Sequence, residues 1–241
     1  MDTKNKSKKV GRFYGIGVGP GDSELITLKA KRILSGAPVI FVPKKGEEST
    51  SYARSIISGM IKPDREVVEL VFPMLRERDN LATHWQKAVQ SIWDRLERGQ
   101  DCVFVNLGDP LLYGTFINVI DALRARCPGL EIEVIPGISS ISAAAARALV
   151  PLAIDDDKLA IISGRCSDSF IKETLSNFDT VIFMKIYRVF DHLLAILEEL
   201  NLVQNCVYIE KCTTEDERIA TDISELKGQK LDYFSLLIVR K

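Results

Sequence analysis

Two kinds of segment alternate along most of this chain, and the alternation limits its fold more than any other feature. Short runs rich in Val, Ile, Phe and Tyr, each bounded by Gly, Pro, Asp or Lys, are typical of strands. In the first half they are FYGIGV, PVIFVP, EVVELVF, DCVFVNL and EIEVI. Between several of them apolar residues recur at helical spacing, as at Ile26, Ala30, Ile33 and Leu34. Continuous apolar strands separated by helices predict a mostly parallel sheet covered on both faces.

A second series of segments begins after Pro136-Gly137. The stretch ISSISAAAARAL predicts a helix of small residues, and KLAIIS, DTVIFMK, CVYIEK and YFSLLIVR predict further strands, with helices such as FDHLLAILEEL between them. A chain of 241 residues is close to the size at which a single core stops growing. We therefore predict two α/β domains, residues 10–137 and 138–241. The alternative is one continuous sheet of about nine strands.

Charge and cysteine content exclude several classes of protein. The chain has 32 basic and 33 acidic residues and a net charge of -1, so we expect neither a nucleic-acid partner nor a membrane-surface partner. The five cysteines are an odd number without CxxC spacing, which favours a reducing, cytoplasmic location. With two histidines and no His/Cys cluster, we expect no metal site. We see no signal peptide and no membrane span.

The stretch GIGVGPGD, residues 15–22, follows the first predicted strand. A strand, then glycines, then a helix is a common place for backbone amides to bind a phosphate, so a dinucleotide site is one hypothesis. The G-x-G-x-x-G pattern is broken, however, because Pro20 or Asp22 stands at the position of its last glycine. Proline also has no N–H to offer. A tight turn with Asp22 or Ser23 as helix cap is the simpler interpretation.

Two more loops of this kind follow strands. They are NLGDPLLYGT at residues 106–115 and IPGISS at residues 135–140. The carboxyl ends of parallel strands meet at one edge of a sheet, where α/β proteins bind their ligands. Glycine lets a ligand approach the backbone closely. The three loops together predict a pocket whose walls are mainly main chain, suited to a flat or extended polar ligand.

Four motifs carry a family resemblance. YGIGVGPGD, LGDPLLYGT, VIPGISSISAAAA and VIFMK occur in this order between about Phe13 and Val239, and together they resemble the tetrapyrrole methylases, which methylate precorrins and related substrates with S-adenosylmethionine. Further features are similar to the branch of that family that methylates precorrin-2 at C-20 in cobalamin synthesis. They are VPKKGEESTSYA, LVFPM, HWQKA and YFSLLIVR.

The resemblance implies two α/β domains, the first with a mostly parallel sheet and the second with a mixed sheet. It also implies an active site in the trough between them, and a homodimer. Carried over motif by motif, it implies that S-adenosylmethionine is bound by Pro20, Gly108, Asp109, Leu112, Tyr113, Gly114, Ser139, Ser140, Met184 and Cys212. Simpler roles are open for several of these residues. Asp109 would fix a turn, Ser139 or Ser140 would cap a helix, and Tyr113, Met184 and Cys212 would pack in a core.

The chemistry that the resemblance implies needs alignment more than it needs reactive side chains. The sulfonium already activates the methyl group, and an electron-rich carbon of a reduced tetrapyrrole attacks it once water is excluded. Asp109 or Tyr113 is the candidate acceptor for the departing proton, directly or through water, with solvent as the alternative. Lys44, Lys45, Arg54 and Lys185 are candidates to bind the substrate's carboxylates, although solvated surface lysines have the same appearance. Asn106 departs from the family pattern, where a small or hydroxyl residue is expected.

Three other functions remain open from the sequence. The first is a methylase of the same fold that acts on another precorrin carbon or on the diphthamide precursor. The second is a nucleotide-dependent oxidoreductase that uses the glycine loop. The third is a module that binds a tetrapyrrole without chemistry. The sequence also leaves open whether the substrate carries cobalt, because that metal would belong to the substrate.

Overall fold

A computed structural model of the protein describes residues 9–46, 48–72 and 78–241, with the backbone alone for residues 78–83. The chain divides into two compact units, one ending at Ser139 and the other beginning at Ser140. The domain boundary predicted from the sequence, between residues 137 and 138, lies two residues earlier than this division. The last two residues of LVFPM and the first eight residues of the chain lie outside the described part.

The first unit contains a five-stranded sheet. Its strands are β1 (Phe13–Gly17), β2 (Val39–Lys44), β3 (Glu66–Val71), β4 (Cys102–Asn106) and β5 (Ile132–Ile135). The order across the sheet is β3-β2-β4-β1-β5, and every neighbouring pair is parallel. The prediction of a mostly parallel sheet is therefore confirmed.

Helices cover both faces of this sheet. They are α1 (Leu28–Gly36), α2 (Tyr52–Ile57), α3 (Arg78–Leu96) and α4 (Phe116–Arg126). Alternate side chains of a strand point to opposite faces. In β4, Phe104 accordingly packs with residues of α3 and α4, whereas Val103 and Val105 pack with residues of α1 and α2. Burial on both faces explains the apolar run of the central strand β4, whose five residues are all buried.

The parallel arrangement brings the carboxyl ends of all five strands to one edge of the sheet. Because β4, β1 and β5 are neighbours, the loops that follow them are adjacent at that edge. We call them the β1 loop (residues 18–22), the β4 loop (residues 107–115) and the β5 loop (residues 136–139). Strand β2 lies beside β4 and ends at the same edge with Lys44.

The second unit contains a mixed sheet, as the resemblance implied. Its strands are β6 (Leu159–Ser163), β7 (Thr180–Met184), β8 (Cys206–Glu210), β9 (Arg218–Ala220) and β10 (Ser235–Arg240). The order is β6-β7-β10-β8-β9. Strands β6 and β7 are parallel, whereas β10 runs antiparallel to both β7 and β8, and β9 runs antiparallel to β8.

Three helices pack on the second sheet: α5 (Ser140–Ala148), α6 (Asp168–Asn177) and α7 (Phe190–Glu199). Large side chains of α6 and α7 cover one face, where Phe183 and Leu237 are fully buried. The alanines of α5 pack with Ile182 and Ile238 of the other face. Small residues let a helix approach a sheet closely. No helix of the described chain is both long enough and apolar enough to cross a membrane.

Candidate functional site

Three glycines bring the loops of the first unit together, backbone against backbone. A Cβ atom placed on Gly17 would lie 2.5 Å from the Gly108 carbonyl oxygen and 2.6 Å from the Gly137 Cα. A Cβ on Gly137 would lie 2.3 Å from the same oxygen. Real Cβ atoms do not approach other atoms so closely, so only glycine fits at both positions. The three loops therefore contact one another through their main chains.

Backbone hydrogen bonds fix the β1 loop against the β4 loop. The amide of Val18 donates to the Asn106 carbonyl at 3.0 Å, and the amide of Gly108 donates to the Gly19 carbonyl at 2.8 Å. Gly19 and Gly108 have φ angles of 79° and 67°, in the left-handed region that favours glycine. Gly19 and Gly108 thus form an isolated antiparallel bridge between the two loops, beyond the parallel pairing of β1 with β4.

Asp109 joins the β4 loop to the β5 loop. Its Oδ1 accepts a hydrogen bond from the Leu111 amide at 2.9 Å, and its Oδ2 accepts one from the Gly137 amide at 3.1 Å. The first is the turn-fixing interaction that the sequence left open. The second links two loops 28 residues apart in the chain. Both carboxylate oxygens are thus engaged by the backbone of the site.

The side chain of Asn106 stabilises the conformation of the β4 loop through hydrogen bonds. Its buried side-chain amide donates to the carbonyl oxygens of Leu107 at 2.9 Å and Asp109 at 3.1 Å. A Cβ on Gly114 would lie 2.8 Å from the same amide nitrogen, so the loop closes tightly over Asn106. In the sequence, Asn106 is recognisable only as a departure from the family pattern. Its signal was a polar amide at the end of a buried strand, directly before a Gly-Asp-Pro turn.

Other residues predicted from the sequence lie around these loops. Leu112 and Tyr113 are exposed at the end of the β4 loop, Pro20 is buried in the β1 loop, and Ser139 directly precedes helix α5. Tyr113 has a φ angle of 54°, which is uncommon for a residue other than glycine. Such conformations occur preferentially at functional sites. Exposed apolar side chains thus lie beside the closely packed backbone of the three loops.

Two of the predicted substrate-binding residues are engaged by a carboxylate of their own unit. Glu69 on β3 lies 3.2 Å from the Lys44 ammonium and 2.6 Å from the Arg54 guanidinium. Hydrogen bonds from Arg54, and then from Lys44, hold the pKa of Glu69 below its ordinary value. The Lys44 side chain is only 11% exposed, whereas the neighbouring Lys45 is exposed.

In the second unit, Met184 and Cys212 belong to one cluster with helix α5, which begins at Ser140. Burial raises the pKa of the Cys212 thiol to about 12, so this cysteine stays protonated and unreactive at neutral pH. Lys185 follows Met184 with a φ angle of 60°. Burial, and then the positive charge of Arg165, lower the pKa of Lys185.

Metal-binding side chains do not cluster in the part of the chain that the structure describes. No group of three or more His, Cys, Asp and Glu residues there is placed to hold a metal ion. All five cysteines are free thiols. The candidate site of the first unit is thus made of backbone amides, carbonyl oxygens and a few side chains, among them the carboxylate of Asp109.

Comparison with known proteins gives a consistent result. The model of the Tetrapyrrole (Corrin/Porphyrin) Methylases matches residues 12–227. The probable cobalt-precorrin-2 C(20)-methyltransferase of Methanocaldococcus jannaschii is 35% identical over 98% of both chains. The cobalt-precorrin-2 C(20)-methyltransferase of Salmonella typhimurium is 31% identical over 96% of this chain and 97% of its own.

The fold agrees as well. The structure of uroporphyrin-III C-methyl transferase from Thermus thermophilus, complexed with S-adenosyl homocysteine, covers 95% of this chain and 92% of its own with a TM-score of 0.68 at 22% identity. The glycine loops at the sheet edge, the order of the strands and the match over nine tenths of the sequence lead to one assignment. This chain belongs to the tetrapyrrole methylase family.

Proposed function

We propose that this protein transfers a methyl group from S-adenosylmethionine to C-20 of precorrin-2 or cobalt-precorrin-2 in cobalamin biosynthesis. The substrate assignment is supported by the two relatives that carry this activity in their names and align over almost the whole chain. The structural observation that carries the proposal is the contact of Gly17, Gly108 and Gly137, which packs the β1, β4 and β5 loops together, backbone against backbone, at the edge of the sheet where α/β proteins bind their ligands.

We further propose that S-adenosylmethionine is bound by the residues that the resemblance implied. A structure similar in fold holds S-adenosyl homocysteine. In the first unit these residues belong to the three loops or follow them directly, and in the second unit they are Ser140, Met184 and Cys212. The position suits a ligand, because the three loops follow parallel strands at one edge of the sheet, where α/β proteins bind their ligands, and Leu112 and Tyr113 of the β4 loop are exposed there.

Bound S-adenosylmethionine supplies a methyl group that its sulfonium already activates, and C-20 loses a proton after the transfer. The protein therefore needs to position the reactants and exclude water. Alignment of this kind is worth an effective molarity of ~10⁵ M or more in favourable cases. The rigid β4 loop, held by Asn106 and Asp109, orients the donor. Tyr113, exposed at the end of that loop, is the proposed proton acceptor, directly or through water.

We also propose that the protein is a cytoplasmic homodimer. The family resemblance supports the dimer, and the five free thiols are consistent with a reducing compartment. Sedimentation equilibrium tests the dimer directly. A mass equal to that of one 26.9 kDa chain at micromolar concentration contradicts it.

The test of function is methyl transfer from S-adenosylmethionine labelled with ¹³C in the methyl group. Precorrin-2 and cobalt-precorrin-2 are supplied in parallel, and NMR of the product identifies the carbon that carries the label. With at least one of the two substrates, we expect the labelled methyl group to be attached to C-20. Label at another ring carbon, or none with either substrate, contradicts the assignment.

Calorimetric titration separates a methylase from an oxidoreductase. We expect S-adenosylhomocysteine to bind and NADPH not to bind. Binding of NADPH in its place would favour a nucleotide-dependent oxidoreductase.

A further inference from the structure

A group of cationic and aromatic side chains lies at one edge of the second sheet. Arg165 follows β6, and Lys185 to Arg188 follow β7. Because β6 and β7 are parallel, these segments are adjacent. Tyr233 and Phe234 precede β10, whose antiparallel pairing places Leu236 opposite Met184 at the same edge. Three separate segments of the chain thus contribute to one surface.

Tyr187 is the centre of this group. The guanidinium carbon of Arg165 lies 6.0 Å from the centroid of its ring, and that of Arg188 lies 5.1 Å away. The ring of Tyr233 meets Tyr187 edge-on at 5.2 Å. Stacking on an aromatic ring restricts a guanidinium without using its hydrogen-bond donors. Both arginines therefore keep their N–H groups available while the rings limit their orientation.

Arg165 and Arg188 differ from those arginines of the protein that pair with a carboxylate. Within residues 9–46, 48–72 and 78–241, neither Arg165 nor Arg188 forms an ion pair, whereas Arg12, Arg147 and Arg240 each contact a carboxylate. Burial and the charge of Arg165 also disfavour the charged form of Lys185. An anion bound beside these side chains would offset that repulsion.

We propose that Arg165 and Arg188, held by Tyr187, bind carboxylate groups of the tetrapyrrole substrate. This inference rests on the proposed function, because the substrates named there carry acetate and propionate side chains. Arginine suits the task, since its planar guanidinium binds a carboxylate through two parallel hydrogen bonds. The aromatic rings add apolar surface for the edge of the macrocycle. The carboxylate of the cofactor's methionine moiety offers the same chemistry, so the test distinguishes the two sources.

The test uses Arg165→Gln, Arg188→Gln and the double variant in the full-length protein. The control is Arg126→Gln, because Arg126 is also exposed and stacked on an aromatic ring, Trp93 at 5.0 Å. Arg126 ends α4, at the opposite edge of the first sheet from the glycine loops. Each single variant should raise the KM for the tetrapyrrole about tenfold, as expected for loss of a charge-assisted pair, and leave kcat within about twofold. The control should match the wild type.

Two further measurements make the result decisive. Absorbance titration with precorrin-2 measures substrate binding without turnover, so the arginines are tested even if no methyl transfer occurs. Calorimetry with S-adenosylhomocysteine should give the wild-type Kd for every variant. An unchanged substrate affinity in the double variant overturns the inference, whether or not the wild type is active. A weakened S-adenosylhomocysteine affinity with unchanged substrate affinity also overturns it, because the arginines would then bind the cofactor.

Discussion

Asp109 shows how a single side chain can define the shape of a site. Its two oxygens accept amides from two different loops, and the buried Asn106 supports the same turn from below. Neither contact involves another charged group. These residues set the geometry of the backbone on which the proposed cofactor site depends.

Asp109→Asn should therefore weaken the site, although the side chain keeps its size. Asparagine keeps one acceptor oxygen but presents an N–H₂ donor where the carboxylate meets an amide, so either Leu111 or Gly137 loses its partner. We expect the free energy of unfolding to fall by about 1–3 kcal/mol. The affinity for S-adenosylhomocysteine should fall roughly tenfold, because misplaced loops lose alignment. Urea unfolding and calorimetry measure the two effects. Wild-type affinity in the variant would show that cofactor binding does not require both of these hydrogen bonds.

The contact of Gly17 with Gly108 and Gly137 makes a sharper prediction. In Gly17→Ala the new methyl would overlap backbone atoms of both neighbouring loops, at 2.5 Å and 2.6 Å. Backbone moves less readily than a side chain, so we expect destabilisation by about 1–3 kcal/mol or more, with loss of cofactor binding. Thermal unfolding and calorimetry measure these effects.

Gly36→Ala is the matched control for Gly17→Ala. A Cβ at Gly36, the last residue of α1, meets nothing within 4 Å. This change should leave binding intact and raise stability by up to about 1 kcal/mol, because alanine favours helix. Equal effects of the two substitutions would contradict a requirement for close backbone approach.

Among the elements, those buried on both faces were the most predictable. Strand β4 is buried at all five positions, so its apolar run revealed both its type and its bounds. Helix α2 was not predicted, because six residues are too few to show a helical period, and its Ser51 cap lies inside a stretch assigned to a motif. Strand β9 was missed because its three residues are largely exposed and form a strand only by pairing with β8.

The candidate site also has parts that could be predicted from the sequence and parts that could not. Its loops could be predicted, because glycine and proline in fixed places after a strand signal close approach of the backbone. The pairing of Lys44 and Arg54 with Glu69 could not, because the register of β3 against β2 determines which side chains meet. Tyr187 with its two arginines carries no motif, since the two segments that supply these residues meet only in the folded sheet.

The link between α5 and the loop after β8 makes the stability of the second unit depend on pH. Glu217 accepts a hydrogen bond from the Thr213 amide at 2.7 Å and pairs with Arg147 at the end of α5, also at 2.7 Å. Its side chain is only 11% exposed. The hydrogen bond from Arg147, and then that from Thr213, lower the pKa of Glu217 against the opposing effect of burial.

The pKa of Glu217 is lower in the folded protein than in the unfolded chain. Its carboxylate therefore contributes fully to the free energy of unfolding above the unfolded pKa of 4.5, and this contribution is lost as the pH falls through the folded pKa. Glu217→Gln should lower the free energy of unfolding by about 1–2 kcal/mol at pH 7, with the difference from wild type shrinking below about pH 4. Urea unfolding at several pH values measures both quantities.

Glu199→Gln provides the comparison for Glu217→Gln. Glu199 pairs with Lys172 at 2.7 Å, but its side chain is 61% exposed. An exposed ion pair contributes little to stability, so this change should cost less than about 1 kcal/mol at any pH. A constant difference between Glu217→Gln and wild type from pH 7 to pH 3 would show that the hydrogen-bond geometry, and not the charge, carries the effect.

At the scale of the whole molecule, the proposed cofactor residues fall in both compact units, which makes joint binding testable. A ligand that binds the folded state stabilises it by about 2.7 kcal/mol when its concentration is 100 times its Kd. If residues of both units bind S-adenosylhomocysteine, this stabilisation slows amide exchange both in the β1, β4 and β5 loops and in α5 with the residues around Met184. Hydrogen-exchange mass spectrometry with and without the ligand reports each segment separately. Asp109→Asn should reduce the protection of both units together, because one binding event produces it. Protection confined to the first unit would remove Ser140, Met184 and Cys212 from the proposed site and leave the glycine loops to bind the cofactor alone.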